Sequence, residues 1–186
     1  MKSFVALALV FFCLFTLLPA SNAQTKPNKN QLLPYSDTDG YKVLSSIIDA
    51  RTKELGSGSV SIFHQTVSEE AFRAVRLQCS GSFPGEFQSA LEDFDKKART
   101  KFLLQREFSL QKEYRFVETR AGVQTGIYSM SAVGFDENRT HAIVLVGYLV
   151  RPAGSILGGD TTFYLLRRTE KGWQDATDIA KCGRIY

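Results

Sequence analysis

Residues 140–150, THAIVLVGYLV, decide the fold of this chain. After Thr140 and His141, every residue except one glycine is apolar. A continuous apolar run of this length, bounded by turn-forming residues, is typical of a strand that is buried on both faces. Such a strand lies at the centre of a sheet, so the rest of the chain must supply its neighbours and its cover.

The neighbouring strands are predicted by alternation and by turn residues on either side of this run. An acidic turn at residues 136–139 and a tight turn at residues 169–172, where Gly172 suits a left-handed backbone, favour antiparallel pairing of successive strands. Further strands are predicted at residues 60–66, 113–119, 127–135 and 161–169, and a last one begins at Trp173. We therefore expect an antiparallel sheet of about five to six strands.

Helical periodicity occurs only in the first half of the chain. Residues 39–55 carry apolar side chains at helical spacing, and a second apolar stripe runs from Phe87 to Phe102. A short additional helix is predicted at residues 68–77, where the pattern is less regular. The predicted fold class is α+β, with two to three early helices packed on one face of the sheet. In this arrangement Leu91 and Phe94 face Val144 and Val146 or their neighbours.

The first 23 residues have the order of a secretory signal peptide. Lys2 precedes the apolar run FVALALVFFCLFTLL, and small residues end at Ala23. The run is shorter than the ~20 residues of a membrane-spanning helix, and Cys13 lacks the small preceding residues of a lipidation site. We expect cleavage near Ala23 and a periplasmic or secreted product. The domain organisation is then a signal peptide at residues 1–23, a flexible linker at 24–36 and a single α+β domain at 37–186.

Charge and cysteine content set further bounds on the exported chain. Removing residues 1–23 takes away one base and no acid, so 22 basic side chains remain against 19 acidic ones, a net charge of +3. This mild bias indicates no nucleic-acid partner. Cys79 and Cys182 remain, and an oxidising compartment favours a disulfide between them, worth roughly 4–5 kcal/mol for so long a loop. Two buried thiols that pack as small hydrophobic groups are the alternative.

A resemblance emerges in the C-terminal half. Residues 132–147, AVGFDENRTHAIVLVG, combine a strand ending in Gly-Phe, an acidic turn, a Thr-x-Ala step and an apolar strand, and FYLL and KGW follow at 163–166 and 171–173. With these motifs the chain resembles a group of uncharacterised exported bacterial proteins over about residues 41–185. The resemblance implies a fold but no activity and no catalytic residue. Members often carry cysteines in the loop after the central strand. The loop at 151–160 has none, so the resemblance implies no loop-local disulfide or metal site here.

Candidate catalytic residues are few and do not form a local motif. His64 and His141 lie in separate predicted strands without the ligand cluster of a zinc site, so no metal or cofactor is predicted. A Cys182 nucleophile would need one of these histidines as its base. The glycine-bearing loop before Thr161 precedes a strand rather than the helix of a phosphate site. Paired carboxylates occur at Glu69/Glu70, Asp93/Asp95 and Asp175/Asp178. A basic run, KKARTK, lies at 96–101, and helix-dipole complementation and solubility explain it.

The sequence therefore favours a non-enzymatic exported module that binds a protein or another cell-envelope partner. The alternative is an extracytoplasmic hydrolase whose site assembles only in three dimensions, from acidic residues or from a Cys182–histidine pair. A deep pocket lined by His141, Asp160 and Asp175 would favour the hydrolase.

Overall fold

The structure is a computed structural model that describes residues 32–68, 70, 79, 83–118, 126–150 and 158–179. The predicted signal peptide, most of the predicted helix at 68–77, the loop at 151–157 and Cys182 lie outside the described residues. Among the helices of the described part, none is long and apolar enough to cross a membrane.

Two α-helices and nine strands make up the described chain, with the α+β class that the sequence predicts. The helices are α1 (Thr38–Glu54) and α2 (Gln88–Lys97), and short 3-10 turns lie at Gly85–Phe87 and Thr177–Ile179. The strands are β1 (Leu33–Pro34), β2 (Val60–Phe63), β3 (Phe102–Leu103), β4 (Tyr114–Val117), β5 (Ile127–Met130), β6 (Gly134–Phe135), β7 (His141–Val150), β8 (Gly158–Thr169) and β9 (Gly172–Asp175).

Seven strands form one mixed sheet in the order β4-β2-β5-β7-β8-β9, with β6 paired to β7. The C-terminal strands pair antiparallel, as predicted, and in the turn between β8 and β9 Gly172 has the expected positive φ, 109°. Strand β2, in contrast, lies parallel to both β4 and β5. The expected purely antiparallel sheet is thus corrected to a mixed one, because the chain after β2 is long enough to contain α2 and return in the same direction.

The predicted strand at 127–135 is divided by a β-bulge. Met130 pairs with Val146 and Gly134 pairs with Ile143, so three residues on this side face two residues of β7. The Ser131 hydroxyl accepts a hydrogen bond from Leu145 N at 3.0 Å and so satisfies a ladder group at the bulge.

The two helices lie on opposite faces of the sheet. On β7, Ala142, Val144 and Val146 belong to one buried cluster together with α1, which we call the α1 cluster. Ile143 and Leu145 belong to a second, the α2 cluster, with Leu91 and Phe94 of α2. Because successive side chains of a strand point to opposite faces, the two clusters lie on either side of the sheet. The predicted one-sided arrangement is therefore wrong, and the apolar run of β7 is explained by cover on both faces.

Helix α2 is shorter than predicted and lies very close to the sheet. It ends at Lys97, and Phe102, expected on its apolar stripe, lies in β3 instead. Gly134 of β6 permits the close approach, because a Cβ at this position would collide with Ala90 O and Phe94 N of the helix.

The fold begins before residue 37, within the predicted linker. Leu33 and Pro34 pair in parallel with Phe102 and Leu103. Tyr35 is 3% exposed, and its hydroxyl accepts a hydrogen bond from Val133 N at 3.2 Å. Residues 32–36 are thus part of the domain, because an aromatic ring buried in the α1 cluster holds them there.

Candidate functional site

A groove of about 200 Å³ lies between α1 and the strands β8 and β9. We call it the α1–β9 groove. Its walls come from three elements that the sheet register brings together, since Leu166 of β8 pairs with Asp175 of β9. The residues that line it are Ser46, Ile47, Ala50, Arg51, Glu54, Tyr164, Leu166, Trp173 and Asp175.

Arg51 is the buried charge of this groove. It is 6% exposed although it occupies the inward face of α1, where apolar side chains are expected. Its guanidinium donates hydrogen bonds to Asp160 and, at 3.2 Å, to Glu54. Burial opposes the positive charge, but Tyr164 and Asp160 outweigh it and raise the pKa of Arg51 above its usual value. A buried charge with such a partner is costly to leave unpaired, so Asp160 and Arg51 depend on each other.

Beyond Arg51, several hydroxyl groups lie buried between α1 and the sheet. The Tyr128 hydroxyl lies 3.1 Å from Thr52 Oγ1, and its ring is 4.8 Å from that of Tyr148. Burial raises the pKa of Tyr128 to about 12, so the phenol stays neutral. Thr162 lies on the same face of β8 between Asp160 and Tyr164 and is 4% exposed. Its Oγ1 has no hydrogen-bond partner in the described part of the chain.

Asp136 organises the β6–β7 hairpin. It accepts hydrogen bonds from Thr140 N at 2.6 Å and His141 N at 2.9 Å, and its Oδ2 lies 3.1 Å from His141 Nδ1. Burial raises the pKa of the carboxyl, but the hydrogen bonds outweigh burial and lower the pKa to about 2. The Phe87 ring packs edge-on against His141, with centroids 4.8 Å apart. The result is a carboxylate-oriented imidazole at the end of the central strand.

Within the predicted basic run, Lys97 of α2 makes structural contacts, whereas Lys96, Arg99 and Lys101 are exposed. Lys97 Nζ lies 2.7 Å from Asp93 and 3.7 Å from Asp37, and it donates to Val133 O at 3.1 Å. Arg139 in the hairpin also pairs with Asp37, at 2.9 Å. These pairs connect the start of α1, the end of α2 and the hairpin. Lys96 and Lys97 lie in the last turn of α2, where the predicted helix-dipole complementation places basic side chains.

The sequence-predicted candidates are distributed over separate parts of the fold. His64 follows β2 and stacks on Phe116 with ring centroids 4.6 Å apart, whereas His141 lies on β7, and β5 separates these two strands. His141 and Asp160 project from opposite faces, since they occupy odd and even positions along the paired strands. Of the three residues expected to line a hydrolase pocket, only Asp175 lines the α1–β9 groove.

The structure describes some of the remaining candidate residues but not all of them. Cys79 is buried in the α2 cluster, whereas Cys182 is outside the described residues, so the disulfide stays a prediction. Glu70 is exposed, Asp178 is exposed beside Asp175, and Asp93 bonds to Lys97 and to Phe135 N. Within the described ranges there is no group of three or more His, Cys, Asp or Glu side chains that could hold a metal ion.

Sequence reasoning did not identify Arg51, Trp173 or Thr162 as parts of a site. One signal was present for Arg51: it follows Leu44, Ile47 and Ile48 at helical spacing and so lies on the apolar stripe of α1. A charge in that position predicts a buried acidic partner. The identity of the partner could not be predicted, because Asp160 is 109 positions away.

The comparisons with known proteins give no relative. No protein-family model, no curated protein and no solved structure matches this chain.

Proposed function

We propose that the protein is a non-enzymatic exported domain that binds a partner through the α1–β9 groove. The observation that carries the proposal is the composition of the groove. Ile47, Tyr164, Leu166 and Trp173 form apolar and aromatic walls, and a few charged groups accompany them. Binding sites commonly combine apolar walls with a small number of polar groups that orient the ligand.

The size of the groove favours a part of a larger partner over a complete small molecule. Pockets for drug-sized ligands have volumes of roughly 300–1,000 Å³, whereas this groove has about 200 Å³. A single side chain fits such a volume. The protein is therefore expected to recognise a partner through a side chain inserted between α1 and β9.

The separation of the chemically capable residues supports a binding role over a catalytic one. Catalysis needs a nucleophile, a base and a stabilising group around one point. Here His141 is bonded to Asp136, His64 is stacked on Phe116, and Asp160 neutralises Arg51. Each of these contacts has a structural reason.

Export is the second part of the proposal, and it is supported by the charged, apolar and small segments of residues 1–23. Intact-mass measurement of the natively secreted protein tests it. We expect a chain that begins at Gln24 without acyl groups. A mass that includes residues 1–23, or acyl chains on Cys13, would contradict it.

Trp173 allows a direct test of the groove, because it is the one tryptophan of the chain. Pools of short cationic, acidic and apolar peptides are titrated into the protein while Trp173 emission is recorded. We expect at least one pool to give a saturable change. Ala50→Leu, which places a larger side chain in the groove from an exposed position on α1, should abolish the change. Lys53→Leu, an exposed α1 position that does not line the groove, is the matched control.

A failure of every pool, or an equal response in the Ala50→Leu protein, would contradict binding in the groove. Circular dichroism and thermal unfolding of both variants separate a blocked groove from a damaged fold.

A hydrolase is the second candidate, and the Asp136–His141 pair is the observation that favours it. A carboxylate bonded to Nδ1 orients a histidine so that Nε2 can act as a general base. The neighbouring hydroxyl, Thr140 Oγ1, lies 3.0 Å from Nδ1 of this ring, so it is not placed as a nucleophile at Nε2. Ester or amide hydrolysis that is lost in a His141→Ala variant, which still binds peptides in the groove, would establish this alternative.

A further inference from the structure

We propose that the α1–β9 groove selects a lysine or arginine side chain presented by an extended segment of a partner polypeptide. This specificity rests on the proposed binding function and adds to it the chemical class of the partner. Three observations carry it: the charge balance of the groove, its aromatic wall and the position of β9 in the sheet.

The charge balance of the groove is negative. Arg51 is the cation among the lining residues, and its guanidinium is directed to Asp160 and Glu54. Glu54 and Asp175 line the groove, and Asp160 lies outside the lining as a partner of Arg51, so three carboxylates accompany one lining guanidinium. Arg168 approaches the Trp173 ring at 6.0 Å, and its acidic neighbour Asp39, at 4.0 Å, is shared with Lys42 and Arg139. With Arg168 counted as a second cation, an excess of one negative charge remains, and it attracts a cation.

The two lining carboxylates are placed to meet such a cation. Glu54 is 53% exposed. Asp175 uses only Oδ1 to accept hydrogen bonds from the backbone and the hydroxyl of Thr177. Its Oδ2 has no partner in the described part of the protein, so it can accept a hydrogen bond from an ammonium or guanidinium group.

The walls suit the apolar stem of a long cationic side chain. Ile47, Leu166, Tyr164 and Trp173 offer carbon atoms and aromatic rings along the groove. Lysine and arginine bury their methylene groups on such surfaces and keep the charged end near polar groups. A cation near Tyr or Trp is also attracted by the ring.

The position of β9 favours an extended polypeptide as the source of that side chain. Strand β9 pairs with β8 alone among the described strands and lies at the end of the sheet order. An edge strand can add a peptide through main-chain hydrogen bonds. Trp173 and Asp175 alternate along β9 and both line the groove, so a side chain of the added strand would lie beside them.

The test uses acetylated and amidated Gly-Ser-X-Ser-Gly peptides in which X is lysine, norleucine or glutamate. Binding to the mature domain is measured by Trp173 emission and by amide chemical shifts of β9. We expect the lysine peptide to bind at least about tenfold more tightly than the norleucine peptide, and the glutamate peptide to bind most weakly. Raising the salt concentration from about 0.05 M to about 0.5 M should weaken the binding of the lysine peptide only.

Two double variants test whether this preference for lysine arises in the groove. Glu54→Gln with Asp175→Asn should reduce the preference for lysine over norleucine to less than about twofold. Glu113→Gln with Glu118→Gln changes the net charge equally at exposed positions outside the groove and should leave the preference intact. Equal loss in both double variants would mean that only the overall charge acts, and it would overturn the proposal.

A last binding measurement distinguishes a polypeptide partner from a free amine. n-Butylammonium carries the same charge and stem but no backbone, and it should bind at least about tenfold more weakly than the lysine peptide. Equal binding would overturn the polypeptide source. A preference for the norleucine or glutamate peptide that is still blocked by Ala50→Leu would overturn the cation preference and leave the binding function in place. If no peptide and no pool gives a response, both the cation preference and the binding function are contradicted.

Discussion

Thr162 shows how a single buried hydroxyl can reduce stability. It is enclosed on the α1 face of β8, and its Oγ1 has no hydrogen-bond partner in the described residues. Thr52, on the buried face of α1, is enclosed to a similar degree but its Oγ1 lies 3.1 Å from the Tyr128 hydroxyl. The two threonines therefore form a matched pair in which one hydroxyl is satisfied and the other is not.

We predict that Thr162→Val leaves the free energy of unfolding unchanged or raises it by about 1 kcal/mol, because the change removes a buried polar group that has no partner. Thr52→Val should lower it by about 1–2 kcal/mol, because the Tyr128 hydroxyl then loses its partner. Urea denaturation with comparison of midpoints at constant m measures both. Destabilisation of the Thr162→Val protein by more than about 1 kcal/mol would show that Oγ1 has a partner.

Asp136 links stability to pH. Its folded pKa, about 2, lies below the unfolded value of about 3.9, so the carboxylate stabilises the fold above that unfolded value. This stabilisation is lost as pH falls through the folded pKa. We predict that Asp136→Asn costs about 1–2 kcal/mol at pH 7, a value reduced for the 13% exposure of the side chain. The difference from the unmodified protein should shrink between pH 4 and pH 3.

Denaturation curves collected from pH 7 to pH 3 test this dependence. Glu137→Gln, at the next, exposed position of the same turn, is the control and should give no such pH dependence. A difference for Asp136→Asn that stays constant over this range would mean that the hydrogen bonds to the hairpin do not depend on the charge.

At the scale of elements, α2 matters because it packs on Ile143 and Leu145 of the central strand. Phe94 is buried against Ile143, Leu145 and Phe163, and its ring is 5.6 Å from that of Phe163. The Phe135 amide bonds to Asp93 at 2.9 Å, so polar contacts also connect α2 to the sheet. Such a helix should unfold with the sheet rather than separately from it.

We predict that Phe94→Ala lowers the free energy of unfolding by roughly 3–5 kcal/mol, because a large cavity opens against β7 and β8. Glu92→Ala, at an exposed position of the same helix, should cost less than about 0.5 kcal/mol. Both are measured by chemical denaturation. A cost below about 1 kcal/mol for Phe94→Ala would mean that α2 is peripheral to the fold.

At the scale of the whole molecule, the described part of the sheet has a helix on either face, and its edge strands β4 and β9 each pair with one described strand. The α1 cluster and the α2 cluster together bury both sides of β7 and β8. Binding is therefore expected at the rim of a helix or along an edge strand, and the α1–β9 groove combines both positions.

We predict that Cys79 and Cys182 form a disulfide in the exported protein, because an oxidising compartment favours the one intramolecular pair that remains after signal cleavage. A thiol titration of the denatured, unreduced protein should find no free sulfhydryl, and the Cα atoms should lie within about 7 Å. Cys79→Ser and Cys182→Ser should each lower the free energy of unfolding. Two titratable thiols would remove the disulfide and make Cys182 a candidate reactive thiol.

Much of the local structure could be predicted because it depends on neighbouring residues. The run at 140–150 correctly indicates a strand buried on both faces, and the periodicity of residues 39–55 correctly predicts α1 to within one residue at each end. The turn at Gly172 follows from its freedom to adopt a positive φ. These features need only periodicity and backbone sterics, which the sequence contains. The signal pattern of residues 1–23 is of the same local kind, and it stays a prediction.

The tertiary structure decided which elements meet. Periodicity indicates that a face is apolar but not which element covers it, so the placement of α1 and α2 on opposite faces could not be read from either helix. The parallel pairing of β2 and the bulge after Met130 depend in the same way on distant strands. The α1–β9 groove is the clearest case. Arg51 and Asp160 have no local pattern in common and become partners only because α1 crosses β8, where a buried charge requires an opposite one.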